Sequence, residues 1–376
     1  MERVKKSFVV GGYWNANFGD DLFLKVLVET FKNCDFVITV PSTKIGLYSK
    51  IAPNLNVEEE KIIDGNQLVT FINKVYRKFS GSLLGSADFR NLRKIRLKKA
   101  DGYIELGGSI FILPKNGKLD SSYRFRNKVA AFDSNYFVIG SNFGPYYSDY
   151  QLRGYRHLFS NINGVTFRDK YSYSLFSNLN NVNYAPDVVF NLDISKYNIG
   201  EEYVTISIIN PENRNFTTTQ KTQYENYIVN TVKKYLKDNQ KVILMAFCEA
   251  EGDTVFAEKI SRTINSDGLR IHVHRDVEES LQIIANSKYI VATRFHAMIL
   301  AWLMRKEVFV ISYSEKTDHV IQDLFPEQSF VKVEDLSDKT EMRYSRISNE
   351  ILNNIVSDAS NQFTNLNYYI KEINNG

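Results

Sequence analysis

The feature that most constrains this chain is an alternation, sustained over most of its length, of short apolar runs with polar-apolar stretches of helical period. The runs SFVVGG, DFVITV, DGYIEL, YFVIGS and GVTFRD fill the first half, with a helical pattern over 19–32 among them. A second series, YVTISII, KVILMAF, RIHVH, KYIVAT and EVFVIS, carries helical patterns over 219–238 and 277–286. Strands that alternate with helices pair in parallel with helices on both faces, and strands covered on both faces read as continuous apolar runs. Each series therefore predicts a doubly wound sheet. Between them, residues 191–202 are polar and suit a linker. The expected fold is α/β, with two Rossmann-like domains, 1–195 and 200–376, facing across a cleft; 376 residues are too many for one ordinary core.

Composition narrows the function classes. A 43% hydrophobic and 24% charged chain is that of a globular protein that folds throughout. The longest apolar candidate for a membrane span, YIVATRFHAMILAWLM, is broken by Arg294 and His296, and the N-terminus lacks the apolar core of a secretion signal. The expectation is a cytoplasmic protein. Cys34 and Cys248 each adjoin apolar strand-like residues, which predicts buried thiols rather than a disulfide or zinc cluster. A net charge of +4 is no nucleic-acid footprint, so no nucleic-acid partner is expected. Charge is instead concentrated in RNLRKIRLKK (90–99), where Arg90, Arg93, Lys94, Arg96, Lys98 and Lys99 interleave with Leu92, Ile95 and Leu97. Two readings stand for this run: a solvated helix face, or peripheral contact with an anionic membrane surface.

Ligands of doubly wound sheets bind beyond the carboxyl ends of the strands, so the informative residues are those just after each strand. The stretch GGYWNANFGDDLFL (11–24) begins with Gly11 and Gly12 and continues through Asn17 and Gly19 to Asp20 and Asp21, in neither dinucleotide-fingerprint nor P-loop spacing. Acids in a first helical turn complement the dipole, but one would suffice; two leave one for chemistry. Gly107-Gly108-Ser109 follows the next such strand and is either a tight turn or a place where backbone amides approach a ligand. Asn142, Gly144 and Pro145 form a third loop, and Arg168-Asp169 a fourth, read either as a surface pair or as an anion site. In KYIVATRFHAMILAWL the strand ends near Ala292, Thr293 is the expected N-cap, and Arg294 and His296 fall at the helix mouth, a natural anion site. His272 and His274 read as one solvent face of an edge-like strand. No Asp-x-Asp pair occurs, so no metal clamp is expected.

Taken together, NxGD (Asn17, Gly19, Asp20), GGS (107–109), GP (144–145), FRD (167–169), APDVVF (185–190) and above all TRFHAMILA (293–301) resemble the polysaccharide pyruvyltransferase family. Glu105-Leu106, where a third glycine is often seen in the family, departs from the pattern. The resemblance implies a GT-B-like fold and transfer of a pyruvyl group from phosphoenolpyruvate onto two sugar hydroxyls, giving a ketal and phosphate in cell-surface (capsular or exopolysaccharide) synthesis. It implies Arg168, Arg294 and Thr293 at the donor and His296 as the proton-transferring residue. Asp20 or Asp21 would then serve an acceptor hydroxyl, with Asn17, Gly19, Gly107, Gly108, Ser109, Asn142, Gly144 and Lys316 lining the acceptor side. No cofactor beyond phosphoenolpyruvate as co-substrate is expected. The acceptor is expected to be a galactose- or mannose-type sugar, with nucleotide-linked, lipid-diphosphate-linked and polymeric forms all open, the lipid-linked form placing the enzyme at the inner face of the cell membrane. A nucleotide-sugar glycosyltransferase of the same architecture and a non-catalytic glycan-binding relative are the competing readings.

Overall fold

The computed structural model describes residues 5–375 except 64, 66, 133, 134 and 338. The first sheet contains β1 (Lys6–Gly11), β2 (Cys34–Val40), β3 (Leu55–Glu59), β4 (Gly102–Leu106), β5 (Tyr136–Ser141), β6 (Gly164–Phe167) and β7 (Val182–Tyr184). The second contains β8 (Tyr203–Ile208), β9 (Val242–Ala246), β10 (Leu269–Val273), β11 (Ser287–Ala292), β12 (Glu307–Ser312) and β13 (Phe330–Lys332). Their orders are β3-β2-β1-β4-β5-β6-β7 and β10-β9-β8-β11-β12-β13. All pairings are parallel. Both orders reverse direction once, between β1 and β4 and between β8 and β11, which is the doubly wound arrangement the apolar runs predicted.

The chain divides into two compact units, but not at 195–200. The first is Met1–Trp14, Phe23–Val188 and Ala359–Gly376; the second is Asn15–Leu22 and Val189–Asp358. The C-terminal helix Thr364–Asn375 belongs to the first unit because the Tyr369 ring packs on Phe8 and Phe137. Just before it, Gln362 accepts from Gly140 N (3.0 Å) and donates to Ala185 O and Pro186 O (2.8 and 2.9 Å). Residues 15–22 group with the second unit because Phe18 N donates to Phe247 O at 3.0 Å and the Phe18 ring packs on Phe247 and His274. Cys34 and Cys248 are free and buried, and burial pushes the Cys248 thiol up to about 11.

Each unit has its own apolar core. In the first, Phe111, Phe143, Tyr155, Phe159, Phe167 and Phe176 pack together, mostly edge-to-face, with Phe167 stacked on Phe176. Buried among them, Glu105 of β4 accepts from Arg126 Nε (2.9 Å) and Nη2 (2.6 Å) and from the Tyr136 hydroxyl. Arg126 also donates to Tyr155 Oη (2.8 Å) and Ile110 O (2.9 Å). Glu105 therefore stands in a fully satisfied ion pair, which explains the side chain that interrupts the glycine pattern. Removing one partner leaves the other charge buried and uncompensated. Arg126→Leu should lower stability by about 3–5 kcal/mol in urea unfolding, and adding Glu105→Leu should restore more than half of it. A single-variant loss equal to that of the double variant would contradict this account.

Candidate active site

The strand order of the second sheet reverses between β8 and β11, and Ala292 at the end of β11 pairs with Ser207 near the end of β8. There the Ser207 hydroxyl accepts from both Thr293 N (3.1 Å) and Arg294 N (3.2 Å), and Thr293 N also reaches Ser207 O (3.2 Å). The Thr293 hydroxyl accepts from Tyr224 Oη at 3.0 Å. The helix that follows, Phe295–Leu303, is buried on nearly every side, and Arg294, not Thr293, is its N-cap residue. Thr293 instead pins the strand end to its neighbours.

A guanidinium in this position must be neutralised where it stands. Arg294 Nε and Nη2 donate to Asp253 and Nη1 donates to Glu251 Oε2 at 2.7 Å, with the Nε contact at 2.9 Å. Asp253 is fully buried and also accepts from Phe247 N and Cys248 N, both at 3.1 Å. Glu251 is more exposed, and a second arginine, Arg214, donates to the same Oε2. Burial works against ionising Glu251, yet the charge and hydrogen bond of Arg294, followed by those of Arg214, hold its carboxyl down at about 2. Arg294 is itself held charged: burial opposes the charge, and Asp253, Tyr313 and Glu251 more than reverse that. The acids that anchor Arg294 follow one another in the CEAEGD segment after β9, with no apolar period to mark them.

The opening loop reaches this same helix mouth within the second unit. Asn17 caps the helix Phe18–Thr30: its Oδ1 accepts from Gly19 N at 3.1 Å, so neither aspartate is needed as the cap. Its Nδ2 lies 3.4 Å from Glu251 Oε1. Gly19 lies directly against His296. A Cβ at position 19 would fall 2.0 Å from Nδ1 and 2.6 Å from Cε1 of that imidazole, so only glycine leaves room for the ring where it stands. Asp20 is half-buried in the same turn, whereas Asp21 is fully buried and lies 2.9 Å from His274 Nε2. His272 and His274 are thus not a solvent face. Both are buried, and both reach Ser280 Oγ (2.9 and 2.8 Å). Lys316 Nζ lies 5.7 Å from the Phe295 ring centroid, and the Phe295 ring stands edge-on to His296 at 5.1 Å.

The remaining expected residues gather in the first unit. Arg168 is buried; Nη1 donates to Asp187 Oδ2 (2.8 Å) and Nη2 to Asn142 Oδ1 (3.0 Å). A Cβ on Gly108 would fall 2.4 Å from Arg168 Nη2, so the guanidinium lies flat on that glycine. The Ser109 hydroxyl also reaches Asn142 Oδ1 (3.0 Å), and Ser141 Oγ donates to Gly107 O (2.7 Å). Neither Arg168 nor Asp169 lies at the surface. Asp169 is buried and caps the helix Lys170–Ser174 through Ser172 N (2.7 Å), leaving Asp187 of APDVVF to neutralise Arg168. Gly144 takes a φ of +112° before Pro145. Among the described residues no group of three or more His, Cys, Asp or Glu side chains is arranged to hold a metal ion.

Two outcomes follow. Gly19→Ala should leave the fold intact, because the backbone there is not in the left-handed region, yet displace the imidazole. Turnover should fall at least about 10-fold with an unchanged melting temperature, a misplacement effect; undiminished kcat would mean the contact is idle. For Glu251, a folded pKa below the usual 4.5 stabilises the native state fully above that value, and the stability is lost as pH falls towards 2. Glu251→Gln should therefore flatten the acid-unfolding curve between about pH 4.5 and 2. An unchanged slope would contradict the pairing.

Solved structures with the same fold share little sequence. Anabaena HepE, in complex with UDP and glucose, has a TM-score of 0.55 at 10% identity over 99% of this chain and 100% of that one. Staphylococcus aureus MnaA, solved with UDP, has a TM-score of 0.54 at 11% identity over 98% and 97%. A putative UDP-N-acetylglucosamine 2-epimerase from Listeria monocytogenes has a TM-score of 0.53 at 10% identity over 96% and 88%. These likenesses establish two Rossmann-like domains of the GT-B kind. No curated protein matches the chain in sequence. The profile of the family described as polysaccharide pyruvyl transferase, however, matches residues 17–315, which include the Asn17–Gly19 turn, the buried Arg168, the Arg294 ion pair and His296: the chain belongs to the polysaccharide pyruvyl transferase family.

Proposed function

We propose that the chain transfers the pyruvyl group of phosphoenolpyruvate to two hydroxyls of a sugar, closing a cyclic ketal and releasing phosphate. The observation that carries this reading is the seating of His296 against Gly19 beside an arginine pair, Arg294 and Arg214, that grips one carboxylate. In this scheme His296 gives a proton to the donor methylene, making C2 electrophilic. The first hydroxyl adds to C2, phosphate leaves with its bonding electrons, and the second hydroxyl adds in its place. Of the two hydroxyl protons released, one balances the proton given to carbon and the other departs with phosphate. Asp20, half-buried in the Gly19 turn, takes the acceptor proton; Asp21 holds His274 and with it the turn.

Glu251 has a specific part in the same reading. Two guanidinium groups converging on one oxygen mark an anion position, and the acid filling it is the more exposed of the two that hold Arg294. The donor's carboxylate or phosphate exchanges with Glu251, taking Arg294 Nη1 and Arg214 while Asp253 keeps Arg294 in place. The donor charge is met by arginine alone, so turnover should survive exhaustive chelation.

The activity is tested by phosphate release from phosphoenolpyruvate with a sugar acceptor. His296→Ala and His296→Asn should each lower kcat by about 10²–10⁴ while donor binding persists. Substantial turnover in His296→Asn would reduce the imidazole to a positioning group. Glu251→Gln should tighten donor binding in calorimetry by removing a built-in competitor. Weaker binding would show Glu251 to be scaffold and the donor to lie elsewhere.

A further inference from the structure

Far along the chain from these residues, one helix is built inside out. Gln67–Ser80 turns Val69, Asn73, Tyr76 and Ser80 towards its own unit, a stripe of helical spacing that is mostly polar. Asn73 donates to Ile63 O (2.9 Å) and accepts from Leu84 N (3.1 Å), and the Tyr76 ring stands edge-on to Phe89 at 5.5 Å. The opposite side carries the larger apolar residues: Phe71 is 63% exposed, Ile72 43%, Val75 40% and Phe79 68%. Beside it Ile62 and Ile63 are 48% and 50% exposed. Contiguous apolar surface of this kind on a helix whose inner stripe is polar belongs against a partner.

Charge identifies the partner. Between residues 65 and 100 nine basic side chains face a single acid, Asp88, although the whole chain carries 47 basic and 43 acidic residues. The outward side of the helix itself holds Lys74, Arg77 and Lys78 and no acid. The 90–99 run adds exposed Arg93, Lys98 and Lys99, but of its three apolar residues only Leu97 is exposed, at 51%. Leu92 and Ile95 are core residues, Lys94 pairs with Glu58 at 2.5 Å, and Arg96 lies over the Phe132 ring. A second copy of this face would set like charge against like charge.

We propose that the helix Gln67–Ser80 docks in the plane of an anionic bilayer, with Phe71, Ile72, Val75 and Phe79 entering the acyl boundary and the flanking lysines and arginines meeting the headgroups. The element lies on the surface of the membrane; among the described residues no helix is long and apolar enough to cross one.

The test is cosedimentation of the full chain with phosphatidylcholine vesicles, with and without phosphatidylglycerol. Binding should require phosphatidylglycerol and weaken as salt rises. Phe71→Ser with Phe79→Ser, which leaves the charge unchanged, should reduce the bound fraction at least about 10-fold at fixed salt. Lys74→Gln with Lys78→Gln should reduce it and flatten the salt dependence. All four positions face outward, so both variants should keep the wild-type melting temperature. No binding at low salt, or full binding by the phenylalanine variant, would overturn the proposal. So would a wild-type dimer in sedimentation velocity that the phenylalanine variant splits, which would assign the face to self-association.

Discussion

The buried Arg294–Asp253 pair is the interaction on which the second unit's site depends. A guanidinium at the mouth of an apolar helix cannot remain there without a carboxylate, and Asp253 supplies it with both oxygens. Asp253 in turn draws the loop after β9 inward through Phe247 N and Cys248 N. Phe247 and Cys248 then receive Phe18 and Asn17, through a backbone hydrogen bond and an isolated bridge. The turn that brings Gly19 to His296 is thus held by the same cluster that holds Arg294. A single desolvated charge thereby orders segments separated by most of the chain.

The first unit repeats the device with other residues. Arg168 follows β6, Asp187 neutralises it, and Asn142 and Gly108 frame it, so three loops at the ends of β4, β5 and β6 are tied to one guanidinium. Glycine serves both units for the same reason. Gly19 and Gly108 are required by what lies against them, an imidazole and a guanidinium, rather than by backbone conformation. The Glu105–Arg126 pair shows how the first unit accommodates a charged residue in β4 just before that glycine loop: the guanidinium and neighbouring groups hydrogen-bond it on every side that the pairing needs.

Much of this was legible in the sequence, because the residues concerned sit where a regular pattern stops. Apolar runs delimit the strands, and the first polar residues after them, Arg168, Arg294 and the 15–21 turn, are those the structure clusters within their units. What was hidden is what closes through space. Nothing in CEAEGD marks Glu251 and Asp253 as partners of an arginine about forty residues later, and nothing in RIHVH says that His274 meets Asp21. The return of residues 359–376 to the first unit depends on Tyr369 and Gln362, whose partners lie more than 170 residues away, so local composition carries no mark of it. β3, β7 and β13 escaped because they lie at sheet edges and carry no sustained apolar run, β7 and β13 being only three residues long.

The family places the chain in polysaccharide pyruvylation, and its central chemical claim concerns what the donor contributes. The most direct measurement is the mass of galactose- and mannose-type acceptors after incubation with phosphoenolpyruvate and the full chain. The account predicts a product heavier by pyruvate less one water, formed in step with phosphate. No such product across the acceptors, together with consumption of a nucleotide sugar and release of its nucleotide, would contradict it.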